Sequence, residues 1–169
     1  MKTIALLALC IAVASAVHAA ALPPIPPGAV SLDVELVQVS TKTTTPWQTW
    51  WGSYHKRFSA QRALRVRARL FGTFDPNVII EWRFVAQRIG GGLYVYDSGS
   101  REAVIEKPQS DIGIFAKPIS GEDHNYNAIN RRDTSGGKPY GYAVRVTQNG
   151  VVLAAKESSA GLLALPLPR

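Results

Sequence analysis

The side chains best equipped for chemistry crowd into one stretch. PWQTWWGSYHKRF, Pro46 to Phe58, carries Trp47, Trp50, Trp51 and Tyr54, followed by His55, Lys56 and Arg57. In a loop, three indoles and a phenol offer flat faces on which sugar rings stack, with the basic residues as polar flanks. Sugar-binding modules on sandwich scaffolds use such faces. Burial competes for the same rings, because each large aromatic removes about 150–250 Å² from water and cores capture them readily. In an extended chain Trp50, Gly52 and Tyr54 fall on one side, and Trp47, Thr49, Trp51 and Ser53 on the other. At least one set can therefore close over a sandwich end, and any exposed remainder marks a contact surface.

The stretch GEDHNYN, Gly121 to Asn127, gathers Glu122, Asp123, His124 and Asn125. Calcium loops place oxygen ligands at every second position around a glycine, and these residues do not. His124 beside carboxylates has the makings of a general base. No serine, threonine or second histidine stands at a spacing that suggests a partner, so the stretch reads as a solvated loop. Arg65, Arg67 and Arg69 line one face of an extended segment, where guanidinium forks could grip sulfate, phosphate or uronate groups. The simpler assignment pairs them across a sheet with Asp33 and Glu35, at roughly 0.2–1 kcal/mol per pair. Gly90-Gly91-Gly92 and Ser135-Gly136-Gly137 lack the spacing of phosphate loops and read as turns. Catalytic residues, metal ligands and cofactors are accordingly not expected.

The elements that must carry these residues are strands. From Val30, the residues Val30, Leu32, Val34 and Leu36 alternate with Ser31, Asp33 and Glu35, and Leu64, Val66, Ala68 and Leu70 alternate with the three arginines. Val78 to Gln87 is more apolar, with Ile80, Trp82 and Phe84 on one face, as in a central strand. GGLYVYDSGS follows as a glycine turn and a strand closed by Asp97-Ser98-Gly99, with shorter strands over Glu102 to Glu106 and Ile112 to Lys117. In YGYAVRVTQNGVVLAAKES, Tyr140 to Ser158, Asn149-Gly150 supplies the two positive φ angles of a type I′ turn and predicts a hairpin. No stretch has sustained helical periodicity.

The ends bound location. MKTIALLALCIAVASAVHAA has one lysine, an apolar run from Ile4 to Val17 and small residues at Ala19 to Ala21, the layout of a signal peptide cleaved after Ala19 or Ala21. Cys10, the single cysteine, leaves with it, and disulfides, thiolate nucleophiles and cysteine metal sites leave too. Loss of Lys2 leaves 18 basic against 12 acidic residues, a net charge of +6, scattered rather than clustered. That favours solubility and weak attraction to anionic surfaces and argues against nucleic acid. LPPIPPG, Leu22 to Gly28, should be an extended spacer. GLLALPLPR, Gly161 to Arg169, is an apolar tail that should lie along an edge strand or dock on another molecule. The expected division is signal peptide 1–19, spacer 20–29, β-domain 30–158 and tail 159–169. About 150 residues can bury roughly two thirds of the unfolded surface without disulfides.

Tyr142, Val144 and Val146 form a Y-x-V-x-V run that resembles the penultimate strand of immunoglobulin-like and fibronectin type III domains, and Trp82 stands on what would be the third strand. WRFVAQ, YVYDSGS and GGKPYGYAVRVTQNG are similar to segments of uncharacterised exported β-sandwich proteins of Verrucomicrobia and related bacteria, a resemblance that implies no activity. The sequence thus predicts an all-β, antiparallel, immunoglobulin-like sandwich of seven or eight strands. It should be exported to the periplasm or beyond and act in the envelope or secreted matrix by binding. A protein partner is the first expectation, and carbohydrate on Trp47, Trp50, Trp51 and Tyr54 the second. An enzyme, third, would need acid and base groups converging near His124 or His55.

Overall fold

A computed structural model describes residues 22–44, 54–126 and 131–167. The expected signal peptide, residues 1–19, and the three clustered tryptophans lie outside the described residues. Eight strands follow in order: β1 (Val30–Thr44), β2 (Tyr54–Leu70), β3 (Asn77–Arg88), β4 (Leu93–Val104), β5 (Ser110–Phe115), β6 (Ile119–Tyr126), β7 (Arg131–Gln148) and β8 (Val151–Glu157). The one helical turn among the described residues is 3-10, Leu162–Ala164. Every pairing is antiparallel.

The strands form an all-β sandwich. One layer is β1-β2-β5 and the other β4-β3-β7-β8, an immunoglobulin-like order, and β6 bonds to both β2 and β7 so that the two layers are one sheet folded over. Alternation explains the layers. Val30 and Val34 on β1, Leu64, Val66, Ala68 and Leu70 on β2, Ile112 and Ile114 on β5, Val78, Ile80 and Phe84 on β3, and Tyr142, Val144 and Val146 on β7 meet in one core. Burial of each such large apolar side chain contributes about 1.5–3 kcal/mol. The arginines of β2 face outward: Arg67 lies 3.2 Å from Asp33, 3.4 Å from Glu35 and 3.4 Å from Asp111, and Arg69 bonds Gln109 at 2.7 Å. The cross-strand assignment of that stripe is what the structure contains. Asn149 and Gly150 have φ of 50° and 80° and close the β7–β8 hairpin in two residues.

Several expectations change. Leu36 is exposed, because coverage of β1 ends at Val34. Asp97-Ser98-Gly99 lies inside β4, and Glu102 to Val104 continues that strand. Gly99 is there for space, since a Cβ would stand 2.5 Å from the Trp82 ring opposite it. Ser135-Gly136-Gly137 lies inside β7, and most of Gly121 to Asn127 is strand β6.

Buried polar groups tie the layers and the ends. The Tyr142 hydroxyl crosses the core to donate to the Val34 carbonyl at 2.8 Å. Gln148, 6% exposed, uses its amide fully: its nitrogen donates to the Asp75 and Asn77 carbonyls at 3.1 and 2.8 Å, and its oxygen accepts from Ile25 N at 2.7 Å. The proline-rich segment is thus docked through a buried Ile25 rather than left as a free stalk. At the other end Leu162 packs on Val85, Val95 and Ala143, while Arg83 donates to the Leu163 and Leu165 carbonyls at 2.5 and 2.6 Å. The tail therefore covers the outer face of its own sheet.

Burial pushes the Tyr96 hydroxyl up from 10.0 to about 12, helped by Asp97, and burial also raises Tyr142, with Asp33 adding to it. Both phenols are favoured neutral in the fold. Their contribution to stability is complete below pH 10 and is lost as pH rises through the folded values. Tyr142→Phe leaves the Val34 carbonyl without its partner and should cost about 1–3 kcal/mol. Urea unfolding should show a lower midpoint at unchanged slope, and the variant should lose less stability than the parent between neutral pH and pH 12. An unchanged midpoint refutes the tie.

Candidate functional site

A strand has two edges, and β2 and β7 are long enough to change partner along them. The inner half of β2, Ala63 to Ala68, pairs with β5, while Tyr54 to Ala60 pairs with β6. Arg131 to Gly136 of β7 pairs with β6, and from Gly137 onward β7 pairs with β3. The outer parts of β1, β2, β6 and β7 therefore lie side by side as a four-stranded arm, made from the β1–β2 and β6–β7 hairpins. Its base is apolar, with Phe58, Ala60 and Ile119 buried. Gly121 is required there, because a Cβ would collide with the Phe58 ring. Beyond Phe58 and Gly121 no described arm residue is fully buried, so both faces of the arm meet water.

β7 makes its switch at two glycines. Gly136 has φ of 74°, and a Cβ on it would run into the Ser120 carbonyl of β6. A Cβ on Gly137 would stand 2.5 Å from the Tyr94 hydroxyl. No other residue allows both the left-handed backbone and the close approach.

Residues directly opposite each other share a face. One face presents Tyr54 and Asn125, Lys56, Asp123 and Thr134, and Arg132. Arg132 grips Asp123 with two bonds, Nε to Oδ1 at 2.8 Å and Nη2 to Oδ2 at 2.6 Å, and the Tyr54 hydroxyl donates to Oδ2 at 3.3 Å. Those bonds, Arg132 first, hold the Asp123 carboxyl below the usual carboxylate range and raise Arg132.

The other face presents His55 opposite His124, Arg57 opposite Glu122, and Asp133 opposite His124 on the next strand. The imidazoles of His55 and His124 stack at 3.7 Å between centroids and 26° between planes. Glu122 Oε2 stands 3.4 Å from His124 Nε2 and 3.9 Å from His55 Nε2, while Oε1 accepts from Arg57 Nε at 2.6 Å. The His124 contact, then Arg57, lowers the Glu122 carboxyl. Two imidazole nitrogens and a carboxylate oxygen, all within 4.8 Å of one another, have the donor chemistry of a metal-ligand set.

Of the residues expected to form a binding face, Tyr54 is half-buried at the first position of β2. Trp47, Trp50 and Trp51 lie outside the described residues, on the connection that joins β1 to β2. The solvated-loop expectation for Glu122, Asp123 and His124 is corrected: all three are on strand β6, and His124 has the second histidine that its sequence neighbourhood lacks. His55, Glu122 and His124 stand together as a spatial cluster.

No protein-family model matches the sequence, and no curated protein matches it. A crystal structure from Akkermansia muciniphila, a member of the Verrucomicrobia, aligns with 79% of this chain and 73% of that chain at 12% identity and a TM-score of 0.26, a weak resemblance.

Gly136→Ala should separate the arm from the sandwich. A strained positive φ costs about 1–3 kcal/mol, and the collision with Ser120 adds to it. Hydrogen exchange should accelerate in β6 and in 131–136 of β7, with the β3–β4 pairing still protected. Gly91→Ala, at φ of 108° with open space around it, is the control that carries backbone strain alone. Equal exchange in the two variants would refute the close-packed switch.

Proposed function

We propose that this chain is an exported, non-catalytic binding module of the cell envelope or secreted matrix that contacts another protein along the arm. The observation that carries this reading is β1. This 15-residue strand pairs only with β2 among the described residues, and Leu36, Val37 and Val39 are exposed at 38%, 39% and 45% on its outer half. A row of free backbone donors and acceptors flanked by apolar side chains is what an added strand from a partner requires: main-chain bonds supply affinity and alternate side chains supply selectivity. The lysine, apolar run and small residues at the start of the chain support export. Within the apolar tail, Leu162 is spent on the chain's own sheet, while Leu167 is exposed.

Carbohydrate binding through Trp47, Trp50, Trp51 and Tyr54 is the second reading. Its support is the Tyr54 ring, pinned through its hydroxyl by Asp123, since a fixed aromatic is what stacking on a sugar needs.

The readings part on one set of variants. Quantitative capture from the envelope and secreted fractions, with Val37→Lys/Val39→Lys beside the parent, should lose a defined protein partner at least about tenfold on charging the edge. A glycan array run with the parent and Trp50→Ala should show no Trp50-dependent hit. The same captured proteins with and without the edge lysines would overturn the protein-contact reading, and a Trp50-dependent glycan hit would put the second in its place.

A further inference from the structure

After residue 18 the chain holds only two histidines, His55 and His124, and the fold stacks one on the other. They come from different hairpins. Solvated histidines gain little by such an arrangement, and a single carboxylate oxygen, Glu122 Oε2, faces the ε2 nitrogens of both. We propose that His55, Glu122 and His124 form a three-ligand site for a divalent transition ion of the zinc class, which clamps the β1–β2 hairpin to the β6–β7 hairpin.

The donor separations are close to what the ion demands, and tilting of the two stacked rings would bring both lone pairs onto it. Zinc bonds of about 2.0–2.2 Å to nitrogen and oxygen in a tetrahedron place neighbouring donors roughly 3.4 Å apart. His124 Nε2 and Glu122 Oε2 are 3.4 Å apart, and His55 Nε2 needs about half an ångström of ring movement from 3.9 Å. Independently of that spacing, His55 Nε2 is buried and has no hydrogen-bond partner among the described residues. A buried nitrogen aimed at a carboxylate and left unbonded is a ligand in waiting, since an unsatisfied polar atom is costly without one. Arg57 holds the other carboxylate oxygen at 2.6 Å and so fixes the direction of Oε2, the usual part of a supporting residue around a metal. Its guanidinium opposes a cation only weakly, because the Arg57 side chain is 60% exposed and screened. Asp133, opposite His124 on β7, adds a second carboxylate to the same face. Two imidazoles and one carboxylate favour zinc and its borderline neighbours over magnesium or calcium, which take six or more oxygens. Three protein ligands leave the fourth position for water or a partner's side chain.

Zinc chloride titrated into the tag-free mature chain, freed of metal by chelator and dialysis, tests the site. Calorimetry should give one ion per chain, and the imidazole ring protons of both histidines should shift together; with two histidines the spectrum assigns itself. Glu122→Gln should weaken binding at least about tenfold. His55→Asn and His124→Asn, checked for native circular dichroism, should each abolish the one-to-one binding, and magnesium or calcium should produce no shift. Zinc binding that survives His55→Asn in a folded chain, binding that leaves either imidazole unmoved, or equal binding of calcium would overturn the proposal. Failure here leaves the protein-contact reading standing, since that one is read on β1 variants.

Discussion

β7 can serve two layers only because its backbone changes neighbours within one continuous strand. Up to Gly136 its hydrogen bonds go to β6, and from Gly137 they go to β3. The switch needs a residue that tolerates φ of 74° and another that lets Tyr94 approach, and two successive glycines meet both needs. Were β7 to break there, β6 would lose one of its two neighbours, and the arm would fall from four bonded strands towards three. A two-stranded hairpin is marginal in water, and each further strand bonded edge to edge adds to what holds it. The Arg132–Asp123 fork follows from that continuity, while the stacked histidines rest on the β2–β6 pairing beside it.

The sandwich below is fixed by a few satisfied polar groups as much as by its apolar filling. Apolar alternation says which side of a strand faces in, but it does not say which layer lies opposite or at what register. The Tyr142 hydroxyl on the Val34 carbonyl locks β7 over β1 at one position. Ser158 does the same at the end of β8: its hydroxyl accepts from Tyr142 N at 2.9 Å, and its own N donates to the Tyr142 carbonyl at 3.0 Å. Gln148 holds the proline-rich segment, and Glu157 accepts from the Leu162 and Leu163 amides at 3.3 and 3.0 Å to start the tail's single turn. Each of these would leave a buried group unpaired in a shifted register, a cost of about 1–3 kcal/mol that apolar contacts alone do not impose.

What could be read from the chain divides along the same line. Residues governed by their own neighbours were legible: the Asn149-Gly150 turn, the onset of β1 at Val30, the inward side of β2, and the pairing of Arg67 with Asp33 and Glu35. Residues governed by a distant strand were not. Gly99 and Gly136 look like turn glycines in sequence, yet one makes room for Trp82 and the other for β6; a glycine needed for closeness and a glycine needed for a turn are spelled alike. Leu36 keeps the inward alternation after the facing layer has ended. Of the aromatic segment, Tyr54 stands on β2 with its hydroxyl serving Asp123, and Phe58 fills the base of the arm. The histidine pair was hidden most completely, because Glu122 is the one ligand at strand spacing from His124, and only the pairing of β2 with β6 brings His55 opposite.

The arm is then the part of the molecule with least to hold it. It has no core past Phe58, and its strands are kept together by backbone bonds and by cross-strand pairs that contribute roughly 0.2–1 kcal/mol each. Exposed pairs of this kind are weakened further by salt. Regions so constituted open locally at a fraction of the free energy that unfolds the domain. Whatever binds the arm in its ordered form and not in its open form shifts that local balance by its own binding free energy, whether it is an ion between the hairpins or a strand added to β1. Both would act on one equilibrium, so each should favour the other without touching it. A weakly held ribbon on a firmly tied sandwich is therefore a coherent arrangement for binding: the sandwich keeps the ends of the four strands in register, and the ribbon carries the outer edge of β1 and the His55–Glu122–His124 cluster.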